Sequence, residues 1–483
     1  MRVDTLVYGG VVVNAWGSAP QDVAIKDGRV HAVGSDLRQQ VEAATEVDAR
    51  GLLVLPGLVD PHTHMNDVGT GGVPTSDNWA SGSAFAASGG VTTIIDFAQP
   101  EQGQGLTAAF EARIRSAGGA PDGVAGATAG PAVGVDYSLH VVVNQVGRET
   151  ANEIRHLVES GVSSFKVFTT YEGLALDTRS LWLVMLAAAE SGALVCAHAE
   201  NDEIIRHYTA EFLEQGKTAP YYHGMSRPSF AEVEAVQRLL VLNRAAGGRL
   251  YFVHLSTGES LEAVAAARRA GETVWAETCP HYLLLDDSYL AAQDGFRYVM
   301  SPPLRTKADC ERLWRGLALG EISCVGSDHC PFPLSACEGR PFNEIPNGVG
   351  STGLILQLMY TEGVQAGRIS LERLVAVTSC NASRIMGLWP RKGAVAAGFD
   401  ADLVLFDPSP RCRVSSKNLP GGGDYSIYDG RPVRGQVVMT VLRGLPVYRS
   451  NPGRENPPGR SGDLARGEFI PRTLPDTAAL RFP

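Results

Sequence analysis

The chain has 483 residues, of which 44% are hydrophobic and 19% charged, with a net charge of -10. That balance excludes a disordered or fibrous chain, and the acidic total argues against nucleic acid as a partner, because a polyanion needs a basic face. No apolar run reaches the roughly 18 residues of a membrane span, so no membrane partner is expected either.

The N-terminal M-R-V-D-T-L-V-Y-G-G has no long apolar stretch and carries Asp4 early. A secretory leader is therefore not expected, and the cytoplasm is the expected compartment. Eight cysteines without a C-x-x-C pair fit reduced thiols, and Cys196, Cys279 and Cys324 read as packed small hydrophobes. Residues 1–55 contain V-D-T-L-V-Y-G-G-V-V-V-N, D-V-A-I-K-D-G-R-V-H-A-V-G and E-V-D-A-R-G. These are short alternating strands punctuated by glycine and Asp-Gly turns.

Eight short apolar runs follow, at 53–62, 91–98, 137–143, 164–168, 193–198, 250–256, 273–279 and 322–329, with helix-like stretches such as 181–190 and 230–243 between them. Alternating strand and helix implies parallel strands joined by right-handed crossovers. Eight units predict a closed α/β barrel, (β/α)8 of the TIM type, over residues 56–390; an open doubly wound sheet is the alternative. Residues 391–449 are again short alternating strands, with A-D-L-V-L-F-D-P and V-V-M-T-V-L-R-G. The flanks 1–55 and 391–449 are thus expected to pair into one small β-sandwich. The last 33 residues hold six prolines and no periodicity, so 450–483 predict an extended arm, disordered if free and a subunit-contacting strap if not.

A (β/α)8 barrel carries its reactive groups at the C-terminal ends of its strands. The first run ends in Asp60-Pro61-His62-Thr63-His64, the fourth holds Lys166, the fifth ends in His198, the sixth holds His254 and the eighth ends in Asp328-His329. His-x-His alone is common, since alternation puts both imidazoles on one face of any strand. Four histidines, a lysine and an aspartate on five strand ends of one eight-strand pattern point to a metal centre. Imidazole with carboxylate suits Zn²⁺ or a neighbouring first-row metal rather than Ca²⁺ or Mg²⁺. Lys166, inside the apolar S-F-K-V-F, poses its own question. Burying an unpaired ammonium costs several kcal/mol, so it must reach water, find a carboxylate or lose its charge. Gly348-Val349-Gly350-Ser351-Thr352-Gly353 spells G-x-G-x-x-G but follows a Pro-Asn turn instead of a strand, so it does not read as a dinucleotide site.

The segments P-G-L-V-D-P-H-T-H, F-K-V-F-x-x-Y, A-H-A-E-N, V-H-L-S, E-T-C-P-H-Y-L, V-M-S-P-P-L-R, G-S-D-H-C-P-F and I-P-N-G occur in this order between about Val54 and Gly350. Together they resemble the cyclic-amide branch of the amidohydrolase superfamily and, within it, the dihydropyrimidinase and hydantoinase group. The resemblance implies a cyclic amidase that opens hydantoin or dihydropyrimidine rings to N-carbamoyl amino acids, as a homotetramer with two zinc ions. It implies His62, His64 and Asp328 around one ion and His198 and His254 around the other, with Lys166 bridging both as a carbamate formed from CO2. A metal-bridging hydroxide would attack the ring carbonyl, Asp328 would act as base and then acid, and Tyr171 would donate its hydroxyl to the developing oxyanion. Ser301 and Asn347 match positions whose backbone groups pair with the cyclic substrate; Ser-Pro and Pro-Asn-Gly are also ordinary turn signals. His281 and His329 adjoin these motifs and are candidates to orient Asp328 or a ligand.

Within the superfamily, dihydroorotases carry an arginine two residues after the second histidine of His-x-His, where this chain has Asn66. Asn66 and His281 match allantoinase, the alternative function. Tyr171, I-P-N-G, V-M-S-P-P-L-R and D-H-C-P-F match hydantoinase and dihydropyrimidinase, and four segments outweigh two. The loop Met65-Asn66-Asp67-Val68-Gly69-Thr70-Gly71-Gly72 departs from the hydantoinase pattern, which has Met-Pro-Phe there, and this leaves substituent size and D or L preference open. Metal-free relatives that act as cytoskeletal assembly proteins are a remote alternative, set aside because all six ligands are present.

Overall fold

The computed structural model describes residues 1–118, 133–450 and 466–475. Its strands are β1 (Arg2–Asn14), β2 (Gly17–Lys26), β3 (Arg29–Gly34), β4 (Glu42–Asp48), β5 (Leu53–Pro56), β6 (Leu58–Thr63), β7 (Val91–Ala98), β8 (Asp136–Val142), β9 (Ser164–Phe168), β10 (Leu194–His198), β11 (Arg249–Phe252), β12 (Val274–Thr278), β13 (Cys324–Val325), β14 (Leu403–Arg413), β15 (Pro432–Leu442) and β16 (Leu445–Arg449).

Strands β6 to β13 lie side by side in chain order and every neighbouring pair is parallel. A bridge between Thr63 and His329, with the His64 N–H donating to the His329 carbonyl at 2.9 Å, closes the circle. Every residue of β7, β8, β9, β10 and β12 is buried. Strands covered inside by one another's side chains and outside by helices need no polar face, which is why the sequence carries continuous apolar runs here. The intervening helices have explicit ends. Asp177 caps Thr178–Ser191 by accepting the Ser180 N–H, and Gly192 stops that helix at φ 72. Thr306 and Asp309 form a capping box on Lys307–Leu319.

The two flanks meet in one eight-stranded mixed sheet, β16-β15-β14-β5-β1-β2-β3, with β4 beside β1. The join is the antiparallel pair β5 with β14. Two details depart from the expected runs. The run at 53–62 is two strands: β5 belongs to the small sheet, β6 to the barrel, and Gly57 sits between them. A Cβ at Gly57 would lie 2.0 Å from Thr92 Oγ1, so only glycine passes there without displacement. The eighth run pairs as β13 over two residues only, because Asp328, at φ 47, turns the chain towards β6.

Residues 466–475 run under the N-terminal end of the barrel, opposite the strand ends that carry the histidines. The Tyr137 N–H donates to the Glu468 carbonyl (2.9 Å), the Ile470 N–H to Tyr137 (2.7 Å) and the Arg472 N–H to Gly161 (2.8 Å). Arg472 is buried, and its guanidinium donates to the Leu139 carbonyl. Over these residues the expected arm straps its own barrel; 451–465 and 476–483 lie outside the described residues. The ammonium of Lys392, 1% exposed, lies 2.5 Å from Asp136, 2.7 Å from Asp402 and 3.0 Å from Asp400. Asp136 also accepts from Arg443 and from the Glu468 N–H. Barrel, small sheet and arm are thereby tied at one point. Among the described residues no helix is long and apolar enough to cross a membrane.

Candidate active site

The C-terminal ends of β6, β9, β10, β11 and β13 converge on one cavity of about 880 Å³. His62, His64, Lys166, His198, His254 and Asp328 all line it, together with Tyr171, Ser301 and Asn347. His62 Nε2 and His64 Nε2 lie 3.2 and 3.4 Å from Asp328 Oδ1, and His198 Nδ1 faces His254 Nε2 at 3.0 Å. Tyr171, His254 and Asp328 have φ of 81°, 38° and 47°. Left-handed backbone at a non-glycine residue costs on the order of 1 kcal/mol or more, and such strain collects where side-chain direction matters more than local stability.

Three of the histidines have a carboxylate behind them. His62 Nδ1 is 2.9 Å from Glu277, His64 Nδ1 3.1 Å from Asp67, and His198 Nε2 2.8 Å from Glu200. With its proton on the carboxylate side, a neutral ring has its other nitrogen free to ligate a metal; at His64, burial is outweighed by hydrogen bonds to Asp328 and Asp67, which push the pKa up to about 9. His62 Nε2 and His254 Nδ1 are buried with no hydrogen-bond partner. Among the described residues, His62, His254 and Asp328 offer ligand atoms within 4.8 Å of one another. Burial keeps the His62 and His254 rings well below their ordinary pKa, against the pull of Asp328. Burial would raise Asp328, but the surrounding histidines hold it well below the usual carboxylate range. Two imidazoles and an ionised carboxylate so placed fit a divalent cation.

Lys166 is 1% exposed. Its Nζ lies 4.9 Å from the Phe168 ring centroid and 5.1 Å from that of Phe97. Among the described residues no carboxylate is within salt-bridge distance of it, and burial pulls its pKa down to about 8. Burial thus brings the neutral amine within easier reach than in an exposed lysine. Burial pushes the Tyr171 phenol up to about 12, so its hydroxyl keeps its proton. Ser301 is buried with Oγ 3.5 Å from His223 Nε2, and Asn347 Oδ1 is buried without a partner.

Glu277, Asp67 and Glu200 were not singled out by the sequence, although each lies in or beside one of its motifs. The available signal was an acidic residue in an otherwise apolar strand, V-W-A-E-T, and acids two or three residues beyond His198 and His64. His329 is a supporting residue: Nε2 is 3.0 Å from Asp77 and Nδ1 accepts the Ser351 N–H. His281 is buried, and neither ring nitrogen has a partner. The divergent loop after His64 is clamped by Arg113, which bonds Asp96 (2.5 Å) and the Asn66 carbonyl (3.1 Å), while Asp96 accepts the Met65 N–H.

The family model for the amidohydrolase family matches residues 53–447. D-phenylhydantoinase of Escherichia coli O1:K1 / APEC is 39% identical over 479 residues, covering 98% of this chain and 100% of that protein. D-hydantoinase of Geobacillus stearothermophilus is 39% identical over 451 residues, 92% of this chain and 93% of that protein. The crystal structure of dihydropyrimidinase from Brevibacillus agri NCHU1002 superposes with a TM-score of 0.90 at 36% identity, covering 97% of this chain and 99% of that one.

Proposed function

The chain belongs to the amidohydrolase family, and from that premise we propose that it is a cyclic amidohydrolase that opens hydantoin or dihydropyrimidine rings to N-carbamoyl amino acids. The observation that carries this reading is the meeting of His62, His64, Lys166, His198, His254 and Asp328 with Tyr171, Ser301 and Asn347 in one cavity. His62, His64 and Asp328 would hold one divalent ion and His198 and His254 the other, with zinc the best match to the donors. Lys166 would bridge them as a carbamate: its amine, once neutral, forms an N–C bond to CO2, releases an N–H proton to water and becomes a two-oxygen anion matched to two cations. When bound, the ions supply the Lewis acidity that makes water a nucleophile at neutral pH and polarises a carbonyl.

The chain's own residues supply the rest. An Asp328 carboxylate oxygen takes the proton of the attacking water and hands it to the ring nitrogen as the C–N bond breaks. The Tyr171 O–H donates to the oxygen on which negative charge develops. Backbone groups at Ser301 and Asn347 pair with the ring N–H and C=O and fix its orientation. The same reading takes the enzyme as a cytoplasmic homotetramer. None of the relatives described is named for allantoin, and the complete ligand set weighs against a non-catalytic assembly protein.

Metal-analysed protein, assayed for ring opening of hydantoin, 5-substituted hydantoins, dihydrouracil and allantoin, tests the proposal. Turnover of hydantoins or dihydrouracil by metal-loaded protein is expected. Faster turnover of allantoin than of every hydantoin would overturn the branch, and protein with neither metal nor activity would overturn the chemistry.

A further inference from the structure

Behind the cavity wall a buried ion pair connects two groups assigned to the reaction. Glu200, fully buried two residues beyond His198, accepts from His198 Nε2 at 2.8 Å and from Arg227 Nη1 at 2.6 Å. The Arg227 guanidinium carbon sits 5.3 Å from the centroid of the Tyr171 ring. That ring in turn meets the His198 ring edge to face, 5.1 Å between centroids. His198, Glu200, Arg227 and Tyr171 therefore close a circuit of which only the first and last line the cavity.

The backbone under this circuit is fastened as well. Thr169 Oγ1 donates to the Glu200 carbonyl (2.7 Å) and accepts the Glu200 N–H (2.9 Å), and Thr170 Oγ1 donates to Asp202 (2.8 Å). The Arg227 carbonyl is held by Arg305 Nη1 at 2.5 Å. Desolvating two charges offsets most of their attraction, so a buried pair contributes little net stability by itself. Its placement, one end on a metal-site histidine and the other on a tyrosine in left-handed backbone, argues for a role in the chemistry.

We propose that Glu200 and Arg227 are positioning residues for the ring-opening reaction. Glu200 holds His198 in the tautomer with Nε2–H outward and Nδ1 bare towards the metal site, and Arg227 clamps the Tyr171 ring so that its hydroxyl stays turned into the cavity. The Arg227 half rests on the reading of Tyr171 as oxyanion donor, whereas the Glu200 half does not. A planar guanidinium can bond a carboxylate at its edge while its face covers a ring, which a lysine cannot do.

The test separates the halves. Arg227→Lys keeps the charge beside Glu200 but removes the face over Tyr171; it is expected to load metal normally and to lower kcat by about 10- to 100-fold with little change in KM. In a Tyr171→Phe background, where the hydroxyl is already gone, the same change should cost less than about threefold, since groups acting through one another are non-additive. An equal loss in both backgrounds would overturn the Arg227 half. Full activity of Tyr171→Phe alone would instead remove the oxyanion reading and the Arg227 half with it. Independently of activity, apo-protein titrated with Zn²⁺ should bind the ion about 10- to 100-fold more weakly in Glu200→Gln; unchanged affinity would overturn that half. Should a single variant not fold, Glu200→Gln with Arg227→Met removes both charges together and leaves neither alone. Failure of that double variant to fold would make the pair a folding element and overturn the proposal.

Discussion

At the scale of single residues, the site depends on which atom of each side chain is free. Tyr171 keeps its proton because burial raises its phenol to about 12, and as the proposed oxyanion donor it would act on charge that develops during the reaction. Tyr171→Phe is expected to lower kcat by about 10²- to 10³-fold while KM and metal content stay close to the parent, measured by steady-state kinetics on metal-analysed protein. A loss of metal instead would make Tyr171 a structural residue. The residues that gather in the cavity were legible in the sequence because strand, period and residue type coincide: a histidine or aspartate at the end of an apolar run is visible without tertiary information. The carboxylates behind these histidines were not legible. Glu277 meets His62 across 215 positions of sequence, and nothing in V-W-A-E-T says which imidazole it will face, because that pairing is set by the order of strands around the barrel.

At the scale of elements, the eight runs were visible because strands buried on both faces must be apolar throughout, whereas their boundaries were not. Leu53 to His62 reads as one run since apolar residues flank Gly57 on both sides, yet the chain leaves one sheet and enters another there. The signal was the Pro56-Gly57 step, and its meaning rests on Thr92, which comes within 2.0 Å of where a side chain would start. Gly57→Ala is therefore expected to destabilise the fold by about 1–3 kcal/mol through overpacking, read as a lower midpoint in chemical denaturation. Parent-like stability would mean that the crossing has room to relax. The shortened β13 has a related origin. Asp328 leaves the ladder at φ 47 to face His62 and His64, so these contacts override strand propensity where the sequence reads as continuous strand.

At the scale of the whole molecule, reactive groups gather at one end of the barrel and the ties between its parts at the other. Lys392 neutralises Asp136 of the barrel and Asp400 and Asp402 beside the small sheet. Lys392→Met would leave buried carboxylates facing one another and is expected to cost about 3–5 kcal/mol. Burial already raises Asp402; without the ammonium the folded-state pKa of the group rises further above its unfolded value. The folded form then binds protons more tightly, so the variant's deficit should grow as pH rises through that raised pKa and shrink in acid; denaturation at pH 5 and pH 8 checks the sign. The extent of the C-terminal strap was not legible, because six prolines suit an ordered arm and a loose tail equally. At the opposite end lies Lys166, buried among aromatic rings and cavity histidines, which the proposed function takes as the bridge between two cations. The most direct measurement is turnover together with metal content of Lys166→Ala, with and without short carboxylic acids in solution. Lost turnover, reduced metal and partial rescue by the added carboxylate are expected; full activity without the lysine would rule out the bridge.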